Sequence, residues 1–174
     1  MNHKKMEQQL ILHEGLELTP YKDTEDNWTV GVGYNLTSRG IEQLQEGIGR
    51  QFPNQISRII LTRDEALRML RIDITRIEKV VKLKLPRYDE LSDVRQRVII
   101  DMGFNMGNRA LQFRKAIKHM NHEVLGKWRP NWSGVGREMF NSKWAYQVGD
   151  GPGGKMDRAE RLVAMVLTDE DYVV

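Results

Sequence analysis

Residues 13–37 read HEGLELTPYKDTEDNWTVGVGYNLT, and this stretch decides the fold. Just before it, residues 4–12 repeat their apolar side chains at helical spacing, which predicts a short first helix. Gly15 is a natural helix stop. Residues 18–36 then mix Pro, Asp, Asn and Gly with alternating β-formers, and the turn residues cluster near 25–27. The stretch therefore predicts a helix that leads into a β-hairpin or small sheet.

Three side chains that could take part in catalysis lie along this helix and hairpin. Eight residues separate Glu14 from Asp23, and five separate Asp23 from Thr29. Two carboxyl groups that face each other across a cleft can divide the work of glycoside hydrolysis, one giving a proton and the other preparing water. Thr29 offers a hydroxyl able to hold that water. On these residues alone, helix caps and solvated surface charges are the favoured interpretation.

The rest of the chain predicts helices. Thr62 and Glu65 have the spacing of a capping box and open a long helix to about residue 83. Asp73 interrupts the apolar face of that helix, and a carboxylate there needs a partner. Ser92 can cap a buried central helix. Shorter helices are expected around residues 111–120, 135–146 and 157–167.

The composition is that of an ordinary globular protein. Of the 174 residues, 40% are hydrophobic and 29% charged, and there is no cysteine, which excludes disulfides and thiolate zinc sites. The longest apolar run near the start is residues 10–12, so neither a signal peptide nor membrane insertion is expected. His119 and His122 have no completing ligand, so we expect no metal and no cofactor. Monomer is the default expectation.

The positive charge is unevenly distributed. The net charge is +3, yet residues 94–137 contain nine Lys and Arg against only Asp101 and Glu123. Such a segment attracts polyanions, among them a bacterial wall with carboxylate-bearing peptides, or nucleic acid. A solvated helical surface explains the same charges without any partner. A nucleic-acid-binding protein is therefore an alternative that rests on this segment alone.

Residues 13–37 closely resemble the catalytic segment of phage-type lysozymes, glycoside hydrolase family 24. The family motif is Glu-Gly-Leu, then Tyr-Lys-Asp-Thr-Glu, then an aromatic-Thr-aliphatic-Gly-aliphatic-Gly strand, and all its parts are present. The resemblance continues at residues 62–73, 93–107, 141–144 and 158–161. Residues 40–61 match poorly, and the glycine-rich loop at 148–155 resembles an insertion.

The resemblance implies an α+β, lysozyme-like fold in a single domain, residues 1–174. We expect an N-terminal, hairpin-containing lobe at about 14–62 and an interlobe helix at about 62–83. A larger helical lobe would follow at about 84–174 and would include the helix at 3–13. The active-site cleft is expected between the two lobes.

The resemblance also assigns roles to residues. Glu14 is the expected general acid, Asp23 the second carboxylate and Thr29 the water-positioning residue. Arg158 is expected to support Glu14 by hydrogen-bonding and orienting its carboxyl group. The positions expected to line the sugar subsites are Glu25, Asn35, Phe104 and Asn105.

Three positions depart from the family pattern. Tyr34 stands where a family member has a histidine that pairs with an aspartate at the position of Asp73, and we expect a Tyr34–Asp73 hydrogen bond instead. Ala116 and Glu138 replace a serine and an asparagine at positions that contact substrate. Subsite preferences are therefore expected to differ.

The implied function is that of an endolysin. It would hydrolyse the β-1,4 bond between N-acetylmuramic acid and N-acetylglucosamine in peptidoglycan, with inversion, during host cell lysis. The protein would lie in the host bacterial cytoplasm and reach the wall through a holin or a virion, without binding nucleic acid. A lytic transglycosylase is one alternative, although Asp23 and Thr29 argue against it. An inactive wall-binding or virion module is another, although Glu14, Asp23 and Thr29 are all intact.

Overall fold

The computed structural model describes residues 1–107, 113–148 and 157–172. The α-helices are α1 (His3–Glu14), α2 (Leu36–Ile48), α3 (Arg63–Lys84), α4 (Asp93–Met106), α5 (Arg114–Met120), α6 (Trp132–Phe140), α7 (Lys143–Gln147) and α8 (Arg158–Thr168). The strands are β1 (Glu17–Lys22), β2 (Trp28–Gly31), β3 (Tyr34–Asn35), β4 (Glu123–Val124) and β5 (Lys127–Trp128). These elements confirm the predicted α+β class. Apart from residue 148, the glycine-rich loop at 148–155 lies outside the described residues.

The chain divides into two compact units. The sheet unit spans His3–Arg76, and the helical unit spans Ile77–Val174 together with the first two residues. The boundary falls inside α3, the helix expected to join two lobes. The sequence placed the helix at 3–13 with the helical lobe, whereas the structure groups α1 with the sheet. Glu7 of α1 contacts this unit, since its carboxylate accepts from Arg71 Nε and Nη2 of α3 at 2.7 and 3.0 Å.

The predicted helix-to-hairpin segment is confirmed, with a short third strand. β1, β2 and β3 form an antiparallel sheet in that order, with Tyr21 opposite Thr29 and Val30 opposite Tyr34. Apolar residues of β2 and β3 and of the segments that follow bury one core, whose members include Val30, Tyr34, Leu44, Ile48, Phe52 and Met69. This core fixes the sheet against α2 and the start of α3.

Helix α2 was not predicted from the sequence. Asn35 caps it, since its Oδ1 accepts from the Ser38 N–H at 2.8 Å. Gly40 interrupts the helix with a φ of +82°. Glycine lowers helix propensity, and Asn35 continued the apparent strand, so the local signal was weak. The helix gains its stability from Leu44 and Ile48, which it buries.

The predicted capping box at the start of α3 is confirmed. Thr62 Oγ1 accepts from the Glu65 N–H at 3.2 Å, and Glu65 Oε2 accepts from the Thr62 N–H at 2.8 Å. Arg50 holds the same carboxylate with Nε and Nη2 at 2.6 and 2.8 Å. The hydrogen bonds from Arg50 are the main reason that the pKa of Glu65 falls to about 2. Just before the box, the Leu61 N–H donates to the Leu18 carbonyl oxygen at 2.8 Å and ties β1 to this corner.

The partner of Asp73 differs from the expectation. The Tyr34 hydroxyl donates to the Gly40 carbonyl oxygen at 3.2 Å, so the expected Tyr34–Asp73 hydrogen bond is wrong. Arg39 Nη1 and Nη2 instead donate to both oxygens of Asp73 at 2.6 and 2.8 Å. The same guanidinium lies 4.0 Å from the centre of the Tyr34 ring. A cation stabilises a buried carboxylate better than a neutral phenol does. The contact with Arg39 confirms the prediction that Asp73 has a partner.

The helical unit is built around α4. The Ser92 hydroxyl accepts from the Arg95 N–H, and all residues from 96 to 103 are buried, as predicted for a central helix. The single helix expected at 135–146 is two helices, α6 and α7, because Ser142 caps the second of them. The hairpin of β4 and β5 was not predicted. Among the described residues, no helix is both long and apolar enough to cross a membrane.

Candidate active site

Glu14 is the last residue of α1. Gly15 ends the helix with a φ of +77°, and its N–H still bonds the Ile11 carbonyl oxygen at 2.9 Å. The chain can therefore leave the helix and enter β1 within three residues. The Glu14 side chain is partly buried at this junction. A partly buried carboxyl on a well-defined helix end is suited to a fixed position in a site.

Asp23 is held by the turn between β1 and β2. Its Oδ1 accepts from the backbone N–H of Glu25 at 2.9 Å and of Asn27 at 2.8 Å. The Asp23 N–H in turn donates to the Asn27 carbonyl oxygen at 2.9 Å. Such side-chain-to-backbone bonds are typical of an aspartate that organises a turn. The Asp23 carboxylate therefore has a fixed orientation.

The same contacts keep Asp23 ionised. The Asn27 backbone N–H is the main cause that lowers the pKa of Asp23, and the Glu25 N–H and the Thr29 hydroxyl act in the same direction. Partial burial opposes them but is outweighed. Hydrogen bonds to the charged form favour that form. Asp23 is thus held in its ionised, acceptor form.

Thr29 lies beside Asp23. It is buried on β2, and its Oγ1 donates to Asp23 Oδ2 at 3.4 Å. A hydroxyl has one donor and two acceptor lone pairs, so Thr29 can still accept a hydrogen bond from a water molecule. The structure therefore brings together two of the three residues predicted from the sequence, in a geometry that can hold and polarise water.

Two expected subsite residues belong to the same unit. Glu25 is exposed in the β1–β2 turn, where its backbone N–H donates a hydrogen bond to Asp23 Oδ1. Asn35 is the cap of α2. Each residue thus has a structural contact that explains its position, and neither contact tests a role in sugar binding.

The other two expected subsite residues lie in the helical unit. Phe104 and Asn105 are in the last turn of α4, and Asn105 is exposed. Asn105 Oδ1 accepts from Trp144 Nε1 at 3.0 Å. This bond orients the Asn105 amide.

Arg158 is buried at the start of α8 and pairs with Asp101 of α4. Its Nε and Nη2 donate to Asp101 Oδ1 at 2.9 and 2.8 Å. Asp101 is fully buried, and in the sequence it counted only as one charge in the basic segment. Its place between Ile100 and Met102 on a buried helix was the available signal, because a carboxylate there needs a cation. Whether Arg158 supports Glu14 stays a prediction.

The structure also shows the environment of two residues that depart from the family pattern. Ala116 is buried beside an apolar cavity of about 30 Å³ whose lining includes Leu85, Met102 and Phe113. A role for Ala116 in subsite preference is therefore not supported by its position. Glu138 is partly exposed, with Lys115 4.0 Å away. Within the described ranges, no three His, Asp or Glu side chains group in a way that could hold a metal ion.

Comparison with known proteins settles the family. Residues 12–161 match the family model described as phage lysozyme. The chain belongs to the phage lysozyme family. The family confirms the resemblance found in the sequence, and with it the class of enzyme: the chain is a glycoside hydrolase of the lysozyme type that acts on peptidoglycan.

Individual lysozyme relatives are distant. The chain is 27% identical over 165 residues to "Probable T4-type lysozyme 1" of Dictyostelium discoideum, covering 89% of each chain. It is 24% identical over 151 residues to "Probable T4-type lysozyme 2" of the same organism, covering 78% of this chain and 81% of the relative. It is also 26% identical over 173 residues to the pre-baseplate central spike protein Gp5 of Enterobacteria phage T4, covering 94% of this chain but 28% of that protein.

Proposed function

We propose that the protein hydrolyses the β-1,4 bond between N-acetylmuramic acid and N-acetylglucosamine, with Glu14 as general acid and Asp23 as general base. The observation that carries this proposal is the Asp23–Thr29 pair. The turn holds Asp23 by two backbone N–H groups, and Thr29 is buried against its second oxygen. An ionised carboxylate and a fixed hydroxyl side by side are what a water nucleophile requires.

The proposed reaction is a single displacement. Glu14 gives its proton to the glycosidic oxygen as the bond to the anomeric carbon breaks. A water molecule attacks that carbon from the opposite face, and its proton passes to Asp23. We assign the water to Asp23 Oδ2, the oxygen that Thr29 also contacts, because Oδ1 already accepts two backbone hydrogen bonds. A single displacement inverts the anomeric configuration.

The remaining residues extend the proposal. Arg158 would support Glu14, as the family resemblance implies, and its pairing with Asp101 limits its guanidinium to few orientations. The proposed subsite residues are Glu25, Asn35, Phe104 and Asn105. The helical unit contains seventeen Lys and Arg against thirteen Asp and Glu, a balance that favours approach to a wall rich in carboxylates.

The proposed biological role is host cell lysis. The protein would act as a monomer, without nucleic acid, after release from the host cytoplasm through a holin or after delivery by a virion. Lysis of an induced host culture with the lysozyme gene replaced by a Glu14→Gln copy tests this role. Normal lysis by the variant would contradict it.

The chemical proposal is tested by clearing of a peptidoglycan suspension. Glu14→Gln removes the proton donor, so we expect clearing to fall by about a hundredfold or more. Glu17→Gln is the matched control, since Glu17 is an exposed glutamate on β1, and it should clear normally. Equal clearing by the wild type and Glu14→Gln would overturn the assignment.

The products test the mechanism separately. Mass spectrometry of the released fragments should show reducing ends, whereas anhydro ends would mean a lytic transglycosylase. Proton NMR of the first anomer should show inversion. Retention would overturn the single displacement and the role given to Asp23.

A further inference from the structure

Tyr21 shares a face of the sheet with the proposed water site. It lies on β1 directly opposite Thr29 on β2. Directly opposite residues of antiparallel strands point to the same face of the sheet. Asp23 joins this face, because Thr29 Oγ1 donates to its carboxylate. The Tyr21 side chain is therefore a neighbour of both residues.

The phenol of Tyr21 also lies within the electrostatic reach of the proposed acid. Burial is the main cause that raises the pKa of Tyr21, and the charges of Glu14, Asp23 and Glu17 raise it further. Charges act in this way only when they lie close to the group. Tyr21 therefore keeps its proton at any pH near neutrality and acts as a neutral hydrogen-bond donor.

The hydroxyl of Tyr21 is not used by the fold. The Tyr34 hydroxyl donates to the Gly40 carbonyl oxygen, and the Tyr88 hydroxyl donates to Met1 Sδ. Within the part of the chain that the structure describes, Tyr21 has no such bond. Its oxygen reaches solvent, since the described residues contain no buried side-chain oxygen without a partner. A solvent-facing phenol beside two proposed catalytic carboxylates is available to a ligand.

We propose that Tyr21 is a substrate-binding residue, whose hydroxyl donates a hydrogen bond to a hydroxyl or acetamido oxygen of the sugar chain held between acid and base. This inference rests on the proposed function. A neutral donor suits an uncharged sugar oxygen, whereas a lysine in this place would pair with the neighbouring carboxylates. The aromatic ring adds an apolar surface for the sugar ring.

The test replaces only the hydroxyl. The probes are soluble peptidoglycan fragments of two disaccharide units with peptide stems. In the Glu14→Gln background, Tyr21→Phe should weaken binding of these fragments by about three- to tenfold, the value of one neutral hydrogen bond. In the active enzyme, kcat/KM should fall by a similar factor, and the pH profile should keep its position. Tyr146→Phe, at an exposed tyrosine on α7, is the matched control and should change nothing.

The outcomes separate this inference from the proposed function. Binding is measured without turnover, so weaker binding by Tyr21→Phe supports the contact even if the wild type releases no reducing ends. Unchanged binding and unchanged kcat/KM would overturn it. A shifted pH profile with unchanged affinity would also overturn it, because Tyr21 would then act through a carboxylate rather than through the sugar.

Discussion

Two hairpins of this protein, β1–β2 first and β4–β5 second, differ in how their turns are held. In the β1–β2 turn, Asp26 has a φ of +61°, and the Asp23 side chain binds two backbone N–H groups of the same turn. In the β4–β5 turn, Leu125 and Gly126 have φ values of +52° and +71°. Leu125 has an apolar side chain and Gly126 has none, so neither residue can form a side-chain hydrogen bond. Both turns contain an unfavourable backbone angle, but only the first has polar side chains that fix it.

The surroundings of the hairpins differ in the same sense. Strand β1 is tied to the start of α3 through Leu18 and Leu61, and β2 pairs with β3. In the second hairpin, residues 121–127 are all exposed, and Leu125 is 97% exposed. The comparison teaches that a turn becomes suitable for a site when hydrogen bonds and packing determine its conformation from several sides. Strand pairing alone does not do this.

The largest expected effect is that of Asp23→Asn. Asparagine can still accept from the two backbone N–H groups, so the turn should survive while the base is lost. We expect peptidoglycan hydrolysis to fall by about 10²- to 10⁴-fold, with little change in the melting temperature. Asp26→Asn in the same turn is the control and should keep full activity, because asparagine tolerates a positive φ. If Asp23→Asn remained active, the β1–β2 turn would not supply the general base and would only connect two strands, as the β4–β5 turn does.

The second effect concerns the packing behind the first hairpin. Arg39→Met removes the bidentate guanidinium from the buried Asp73, leaves it with Arg76 Nη2 at 3.5 Å, and uncovers the Tyr34 ring of β3. We expect the free energy of unfolding to fall by about 2 to 4 kcal/mol, measured by urea denaturation, because the more exposed Arg76 compensates only part of the buried charge. Arg39→Met combined with Asp73→Leu should recover most of this loss, because no charge is then left buried. A loss below about 1 kcal/mol from the single change would show that the pair does not support the sheet.

A smaller, pH-dependent effect is expected at Glu65. Its folded pKa of about 2 lies below the ordinary value of 4.5, so its contribution is present above about pH 4.5 and disappears as the pH falls through 2. At pH 7, Glu65→Gln should cost about 0.5 to 1 kcal/mol, because Arg50 is half exposed and solvent weakens the pair.

Urea denaturation of both proteins between pH 7 and pH 2 measures this difference. The wild type should lose its advantage over Glu65→Gln in acid. A stability difference that stayed constant down to pH 2 would mean that the charge of Glu65 does not stabilise the start of α3, to which β1 is bonded.

The smallest effect is expected at the second hairpin. Leu125→Asn places a residue that tolerates a positive φ in a two-residue turn, and we expect stability to rise by about 0.5 kcal/mol. Leu125→Ala is the control, since it removes the exposed side chain without easing the backbone and should give no gain. Equal melting temperatures for Leu125→Asn and the wild type would show that this turn is not strained.

Much of the fold followed from short sequence patterns. The helix before Gly15, the turn at 25–27 and the cap at Ser92 were predicted because each signal lies within a few residues. The family motif added the assignment of Glu14, Asp23 and Thr29, and the family match confirmed the enzyme class. Helix α2 was missed because Gly40 weakens its local signal and its stability depends on burial against the sheet.

The sequence by itself determined the first helix and hairpin, the caps at Thr62 and Ser92 and the residue types of the proposed site, because these depend on neighbours a few positions apart. Only the tertiary structure decided which cation meets each buried carboxylate. Arg39 and Asp73 are 34 residues apart, and Asp101 and Arg158 are 57 apart. It also showed that, among the described residues, no protein group binds the Tyr21 hydroxyl beside the proposed site. Partners at such separations are chosen by packing, and no local pattern in the chain encodes them.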